Sequence, residues 1–371
     1  MKQRFKKHVA LTLISLMLLS LIGCGKPAST DTTTTTETAV TEAPAASISD
    51  AATTADSTPA DASEEGSDAQ TVYPVTVTDQ AGREVTIEKE PESIVSGYYI
   101  STSLLLALGL KDKVTGIEAK ADKRPIYKLA APEFLELPNV GTAKEFDLET
   151  CASLSPELVI LPMKLKDAAQ SLSELDIPVL LVNPESEDQL EQMIELVSTA
   201  TNTKENADVL LSYIDEKKEM LEKDLSGVDA KSVYLAGNSS LLSTAGPAMY
   251  QSGLIELAGG KNAASEITDT YWAEISYEQL LAWDPSYIIL ASDAEYTPED
   301  VLSDENLKEC TAVKNGDVYA IPGDIEALDS PVPGGILASI WLAGILHPDQ
   351  VSADMYTEEK AAFYETFYGI K

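Results

Sequence analysis

Histidine and arginine are almost missing from this sequence. Among 371 residues the histidines are His8 and His347, and the arginines are Arg4, Arg83 and Arg124. A receptor for bare zinc or manganese gathers several histidines with carboxylates, so the shortage argues against that ligand class. Haem held by histidine is disfavoured for the same reason, which leaves Tyr or Met as axial alternatives. Catalysis by a Ser-His or Cys-His pair is nearly excluded, and G-x-S-x-G, H-E-x-x-H and P-loop patterns are absent. A strongly anionic tricatecholate complex asks for several cations in its cleft, and two arginines beyond the N-terminal segment do not supply them. Positive charge is short throughout: 26 Lys and Arg stand against 61 Asp and Glu, a formal net charge of -35. That balance argues against nucleic acid and an anionic membrane surface as partners. Cysteine is scarce too, with Cys24, Cys151 and Cys310 alone. A bridge between the last two would staple the halves of the chain together, and both are expected to be small buried hydrophobes.

What is present begins with an export signal. Lys2, Arg4, Lys6 and Lys7 precede the apolar run "VALTLISLMLLSLIG", which is too short and wrongly flanked for a membrane span. Its ending "LIGC" resembles a bacterial lipobox, which implies cleavage before Cys24 and a lipid on its thiol. Residues 1–23 are read as the lipoprotein signal and residues 24–71 as a tether. Residues 28 to 71 are Thr, Ala, Ser, Asp and Glu with hardly a large apolar side chain, so they cannot offset the entropy of ordering. A flexible chain of that length reaches about 35 Å root-mean-square.

From Val72 onward the pattern is that of a folded α/β chain. "VTVT" and "EVTI" alternate around "DQAG" as a hairpin. The runs "SIVS", "KVTGI", "LVILP" and "PVLLV" read as strands separated by helical stretches, which implies parallel pairing. A nearly continuous helical signal follows from Glu187 to Leu225. It contains the long periodic segment "KENADVLLSYIDEKKEMLEKDL", with Leu210, Ile214, Lys218 and Leu221 along one side. The βα pattern then restarts with "SVYLAG", "YQSGLIELAGG", "YIILA" and "GDVYAIP" and closes with two helices. The expected fold class is α/β, with two Rossmann-like lobes joined by one long helix and a ligand cleft between them. The boundaries are 72–203 for the first lobe, 204–227 for the linking helix and 228–371 for the second lobe.

One stretch occurs twice. "DLETCASLSPELVIL" at 147 to 161 and "SYEQLLAWDPSYIIL" at 276 to 290 superpose at an offset of 129. Glu149 then falls on Glu278, Cys151 on Leu280 and Pro156 on Pro285. With this repeat in hand, the chain from Val72 to Ile370 resembles the iron-siderophore and cobalamin branch of periplasmic-type solute-binding proteins. The matching pieces are "VTDQAGREVTI", "LLALGL", "VGTAKEFDLETCASLSPELVI", "GLIELAGGKN", "EISYEQLLAWDPSYIIL", "VKNGDVYAIP" and "WLAGILHPD", in this order. The resemblance implies an extracellular, lipid-anchored receptor on the cell membrane that hands its ligand to an ABC permease with its ATPase. It implies no enzymatic activity, no resident cofactor or metal, and a long helix that limits hinge opening. It also implies that Glu149 and Glu278, one per lobe, dock onto permease arginines. The plainer reading of both acids is a favourable charge at a helix start. A two-lobe surface lipoprotein used for sensing or adhesion is the alternative function.

The ligand is expected between the lobes, beyond the C-terminal ends of the strands. Loops that leave strands offer Tyr98, Tyr99 and Ser101, then Met163 and Lys164. In the second lobe they offer Met249 and Tyr250, Tyr271 and Trp272, and Glu326 with Asp329; "DKRPIYK" adds Arg124 and Tyr127. An aromatic and thioether lining with few cations suits a corrinoid or hydroxamate-type metal chelate. His347, just after a helix in "LHPD", is expected to cap or to pack at the surface.

Overall fold

A computed structural model describes residues 70–268 and 270–371. The signal sequence, Cys24 and most of the tether lie outside the described residues. The described residues belong to one compact unit.

The opening hairpin pairs β1 (Val75–Thr78) with β2 (Glu84–Ile87) antiparallel. Its turn is fastened by the buried carboxylate of Asp79. That group accepts from the backbone N–H of Ala81, Arg83 and Leu181 and from the Arg83 guanidinium. The hairpin is thereby tied to the edge of the first sheet.

Two sheets follow. The first contains β3 (Ile94–Ser96), β4 (Val114–Gly116), β5 (Leu158–Pro162) and β6 (Val179–Val182), ordered β4-β3-β5-β6 and all parallel. Strand β5 is buried at all five positions, as expected of an apolar run covered on both faces. The second half contains β7 (Lys231–Ala236), β8 (Ser243–Ala245), β9 (Gly260–Asn262), β10 (Trp272–Glu274), β11 (Tyr287–Leu290) and β12 (Val318–Ala320). Its parallel sheet is ordered β9-β7-β11-β12, and β8 and β10 form a separate antiparallel pair. In both sheets the first strand lies between the second and the third, with the fourth outside. The two lobes therefore share one winding, and the repeated stretch supplies the same third strand to each.

The helical region that reads as nearly continuous is two helices. One spans Glu187–Thr201 and ends where Asn202 takes φ 59, and the next spans Lys204–Asp224. The second is 21 residues long, about 32 Å at 1.5 Å per residue. Ala207, Leu210, Ile214 and Leu221 form its buried stripe as the periodicity predicts. Lys217 is buried too, bridged to Glu359 at 2.9 Å; sequence periodicity points to Lys218 instead, which stays partly exposed and pairs with Glu191.

Among the described residues three apolar clusters form the core. Cys151, Val159 and Leu161 pack one side of the first sheet, and Leu280, Ile288, Leu290 and Cys310 pack the matching side of the second. The inner faces do not form separate cores. Ile94, Leu158 and Leu180 of the first lobe join Val233, Leu235 and Ile289 of the second, with the Lys204–Asp224 helix and the two C-terminal helices between them, in one continuous cluster. Cys151 and Cys310 are unpaired and buried, as the sequence predicts. His347 is the C-cap residue of the helix Ile336–Leu346, its N–H bonded to the Ala343 carbonyl, as one of the two expectations has it. It is buried, not packed at the surface, and its Nε2 lies 3.0 Å from the carbonyl of Gly259, which immediately precedes β9.

Candidate functional site

The lobes meet along a seam that begins at the N-terminal end of the helix Tyr99–Ala107. This helix leaves β3 with three hydroxyl residues in succession, Ser101, Thr102 and Ser103, all buried. Such side chains in the first turn satisfy neighbouring polar groups that the helix leaves open. Ser101 bonds to Ser96 Oγ and to the Tyr98 carbonyl. Thr102 donates to Glu118 Oε2 at 2.7 Å, and Tyr127 donates to the other oxygen of that carboxylate at 2.6 Å. Ser103 reaches across the seam and donates to Glu326 of the second lobe, which also accepts from Tyr364.

Further bonds stitch the seam. Ile126 N–H donates to the Ile325 carbonyl at 3.1 Å. Tyr99 O–H donates to Ser330 Oγ at 2.7 Å. The Arg124 guanidinium lies 4.0 Å above the centre of the Tyr99 ring, and its Nη1 is 3.8 Å from Asp293 Oδ2, just past the end of β11. Tyr99, Ser103, Arg124, Tyr127, Asp293 and Glu326 line one cavity of about 30 Å³. That is room for about one water molecule.

Burial sets the electrostatics here. Desolvation disfavours an ionised carboxyl: it raises Glu118, raises Asp329, and pushes Glu326 up to about 7 against the pull of its hydroxyl donors and of Arg124. Tyr99 is pushed up to about 12 by burial, partly offset by Ser330 and Arg124. Tyr98 and Tyr250 are raised by burial as well.

The structure brings some of the sequence-predicted residues together and separates others. Tyr98 and Tyr99 pack edge to face at 5.5 Å, and Tyr99 and Arg124 share the seam cavity. Asp329 is buried beside that region, accepting from the hydroxyl and N–H of Ser292. Tyr271 and Trp272 are 55% and 41% exposed. Trp272 lies over the end of β7, where a carbon added at Gly237 would meet its ring at 2.9 Å. Met163 and Lys164 leave the end of β5 partly and fully exposed. Ser101, Met249 and Tyr250 are interior instead of lining an open cleft. Ser101 is consumed by its local bonds, and the Tyr250 hydroxyl sits where a carbon on Gly335 would be 2.1 Å away. Sequence reasoning misses Ser103, Glu118, Asp293 and Ser330. Asp293 was findable, because it follows a buried strand as the other candidates do; Glu118 becomes visible only with the first lobe folded, and Ser103 and Ser330 only with the two lobes assembled.

Away from the seam, Glu149 and Glu278 are exposed, each in the first turn of a short helix. The helices are started by matching caps, Asp147 accepting from Thr150 N–H and Ser276 accepting from Gln279 N–H. Among the described residues no group of three or more His, Cys, Asp or Glu gathers to hold a metal ion, and no helix is long and apolar enough to cross a membrane.

Two parallel lobes with one winding, met at the C-terminal ends of their strands, define a two-lobe solute-binding protein. The chain belongs to the periplasmic binding protein family, whose profile matches residues 94–325. It is the substrate-binding component of an ABC importer, and this class consists of transport components, not enzymes. YvrC of Bacillus subtilis, an ABC transporter substrate-binding lipoprotein, is 29% identical over 273 residues, covering 70% of this chain and 82% of its own. MolA of Haemophilus influenzae, a molybdate-binding protein, is 24% identical over 319 residues, covering 79% and 90%; its structure aligns with a TM-score of 0.71. A periplasmic solute-binding protein from Veillonella parvula aligns at 26% identity over 80% of this chain and 93% of its own, also with a TM-score of 0.71.

Proposed function

We propose that this importer component captures a metal chelate, an iron-siderophore or corrinoid complex, at the aromatic rim of the seam. On this reading the rim consists of Tyr98, Tyr99, Tyr271 and Trp272, together with Met163 and Lys164. The reading is carried by one observation: large aromatic side chains stand exposed or half-buried at strand ends while histidine is absent from the site. Such surfaces suit a bulky, weakly charged complex. Cys24 then carries the lipid that holds the protein at the outer face of the membrane, and Glu149 and Glu278 present the two lobes to the permease. Purified protein examined by native mass spectrometry with metal analysis, and titrated while Trp fluorescence is followed, tests the reading. Binding of a siderophore or corrinoid complex supports it; tight binding of free zinc or manganese and of no complex sinks it.

A second reading is favoured by the size of the seam cavity. At about 30 Å³ it must open for any solute, since typical ligand pockets are about 300 Å³ or larger, and it must open less for a small ion than for a chelate. MolA binds a small oxoanion. Molybdate binding in the same titration, with no response to any chelate, selects this reading.

A further inference from the structure

At Glu326 the two lobes are joined through a single ionisable group. Its carboxyl leaves the loop between β12 and the turn Pro333–Gly335 and is 6% exposed. It accepts from Ser103 on the first-lobe helix Tyr99–Ala107 and from Tyr364 on the C-terminal helix Ala353–Tyr368. Tyr368, one turn further along that helix, joins the group through a 2.9 Å bond with Ser103 Oγ. Another wall is backbone: a carbon added at Gly334 would stand 3.3 Å from Glu326 Oε2 and 3.2 Å from the Tyr364 hydroxyl. The turn Pro333–Gly335 brings no titratable side chain. The remaining side is the seam cavity, which Tyr99, Lys123, Arg124, Tyr127 and Asp293 line together with Glu326. Every hydrogen bond that the described residues give this carboxyl comes from an uncharged hydroxyl. Burial keeps both tyrosines neutral by raising them above the ordinary phenol range. Arg124 acts on Glu326 only through space, and that pull is outweighed by desolvation. A buried carboxylate with no cation bonded to it is costly, and the cavity of about 30 Å³ has no room to hydrate one.

We propose that Glu326 is a proton-operated latch between the lobes, holding the seam shut while protonated and letting Ser103 part from it when the proton is lost. The neutral acid donates as well as accepts, so it and the three hydroxyls satisfy one another without a counterion. The anion draws in water, and water enters only if the seam loosens. The direction follows from linkage. In the shut seam the carboxyl is pushed up to about 7, and in a loosened seam it meets water and returns toward the ordinary 4.5. Closure is therefore fully favoured below about pH 4.5 and loses favour as pH rises toward 7, by up to about ten-fold per unit. The movement stays local, because the apolar cluster behind the seam is shared by both lobes. A seam built this way loosens more readily at neutral pH than in acid, whatever solute it takes.

The test is backbone amide exchange of the purified protein without solute, from about pH 5.5 to about pH 7.5, read by mass spectrometry and corrected for the intrinsic pH dependence of exchange. The reporter is the peptide containing Ile126, whose N–H bonds to the Ile325 carbonyl across the seam; the peptide containing β5 reports global unfolding. The Ile126 peptide is expected to exchange faster than β5 throughout, and its protection to fall about ten-fold or more across the interval. In Glu326→Gln, which stays neutral, the fall should vanish and protection should stay high. Ser103→Ala breaks the link from the first-lobe side and leaves the carboxyl to Tyr364, so protection should be low at both ends of the range. That variant decides the matter alone if the glutamine protein does not fold. A fall of wild-type size in either variant assigns the effect to another group and overturns the proposal. A wild-type reporter that shows no fall, or that never exchanges faster than β5, overturns it as well.

Discussion

The two copies of the helix–proline–strand unit keep the same geometry with different residues. Asp147 and Ser276 are both N-caps, Cys151 and Leu280 are both fully buried plugs, and Ser155 and Asp284 both take a left-handed turn, at φ 49 and 44, before the shared proline. Strands β5 and β11 then enter the middle of equivalent sheets. The copies diverge in how they are tied down. Asp147 binds both the N–H and the hydroxyl of Thr150, at 2.9 and 2.7 Å, whereas Ser276 makes a single 3.2 Å contact with Gln279 N–H. In the second copy the extra fastening sits at the other end, where Asp284 bonds the N–H and hydroxyl of Thr311. Caps, plugs and turns are thus met by whichever residue satisfies the local bond or volume. Glu149 and Glu278 are the same residue in both copies although neither fills a core position, which is the pattern the proposed docking role predicts.

The largest effect should come from reversing that shared acid. Glu149→Arg combined with Glu278→Arg is expected to reduce ligand-stimulated ATP hydrolysis by the reconstituted importer ten-fold or more, with alanines at both sites doing less and ligand affinity unchanged throughout. Normal transport by the double arginine protein would reduce the acids to helix-start charges. The plugs come next. Leu280→Ala should cost about 2–5 kcal/mol in denaturant unfolding, and Cys151→Ala should cost less, because a thiol leaves a smaller void. Equal losses would show that the two cores pack differently from their geometry.

The third effect concerns Glu326, which joins the half containing one copy to the half containing the other. Its carboxyl titrates at about 7 in the folded protein against an ordinary 4.5. The stabilisation is therefore complete below about pH 4.5 and is lost as pH rises toward 7, since the unfolded chain releases this proton first. Each unit of pH within the window is worth up to about 1.4 kcal/mol. Glu326→Gln should flatten that part of the stability profile; an unchanged slope would mean the carboxyl is not held neutral. The smallest effect separates the caps. Asp147→Ala should cost about 1–2 kcal/mol and Ser276→Ala about 0.5–1, measured by thermal unfolding at fixed pH, and the reverse order would show that the second contact to Thr150 adds nothing.

Much of this architecture was legible from periodicity and punctuation. The buried runs at Leu158–Pro162 and Tyr287–Leu290, the prolines before them and the long amphipathic stripe each follow from residues close in sequence. The β8–β10 pair was not legible, because three-residue strands such as Trp272–Glu274 carry too little alternation to register. The fusion of both inner faces into one cluster was hidden too, since Ile94 and Val233 look like ordinary strand residues until their sheets are assembled. For the site, chemistry indicated Tyr99 and Arg124, and position at a strand end indicated Trp272. Their neighbours Ser103 and Ser330 are common residue types whose importance comes only from facing another lobe. Ser101 and Tyr250 show the converse: an inviting residue at a helix start is often already satisfied by its own turn or by a tightly packed glycine.

The continuous apolar body shared by the lobes has a consequence for how quickly and how tightly the protein works. A receptor that must wait for a rare competent shape binds more weakly by the fraction of time spent in it. Here Ile94 and Val233 belong to one cluster with the Lys204–Asp224 helix between them, so wide separation of the lobes would expose that body to water. Entry is then governed by small movements at the rim. Side-chain movements at exposed positions occur in picoseconds to nanoseconds, while domain hinging takes microseconds to milliseconds. A mouth of this kind loads with little waiting, and the work of prying the solute loose falls to the membrane partner.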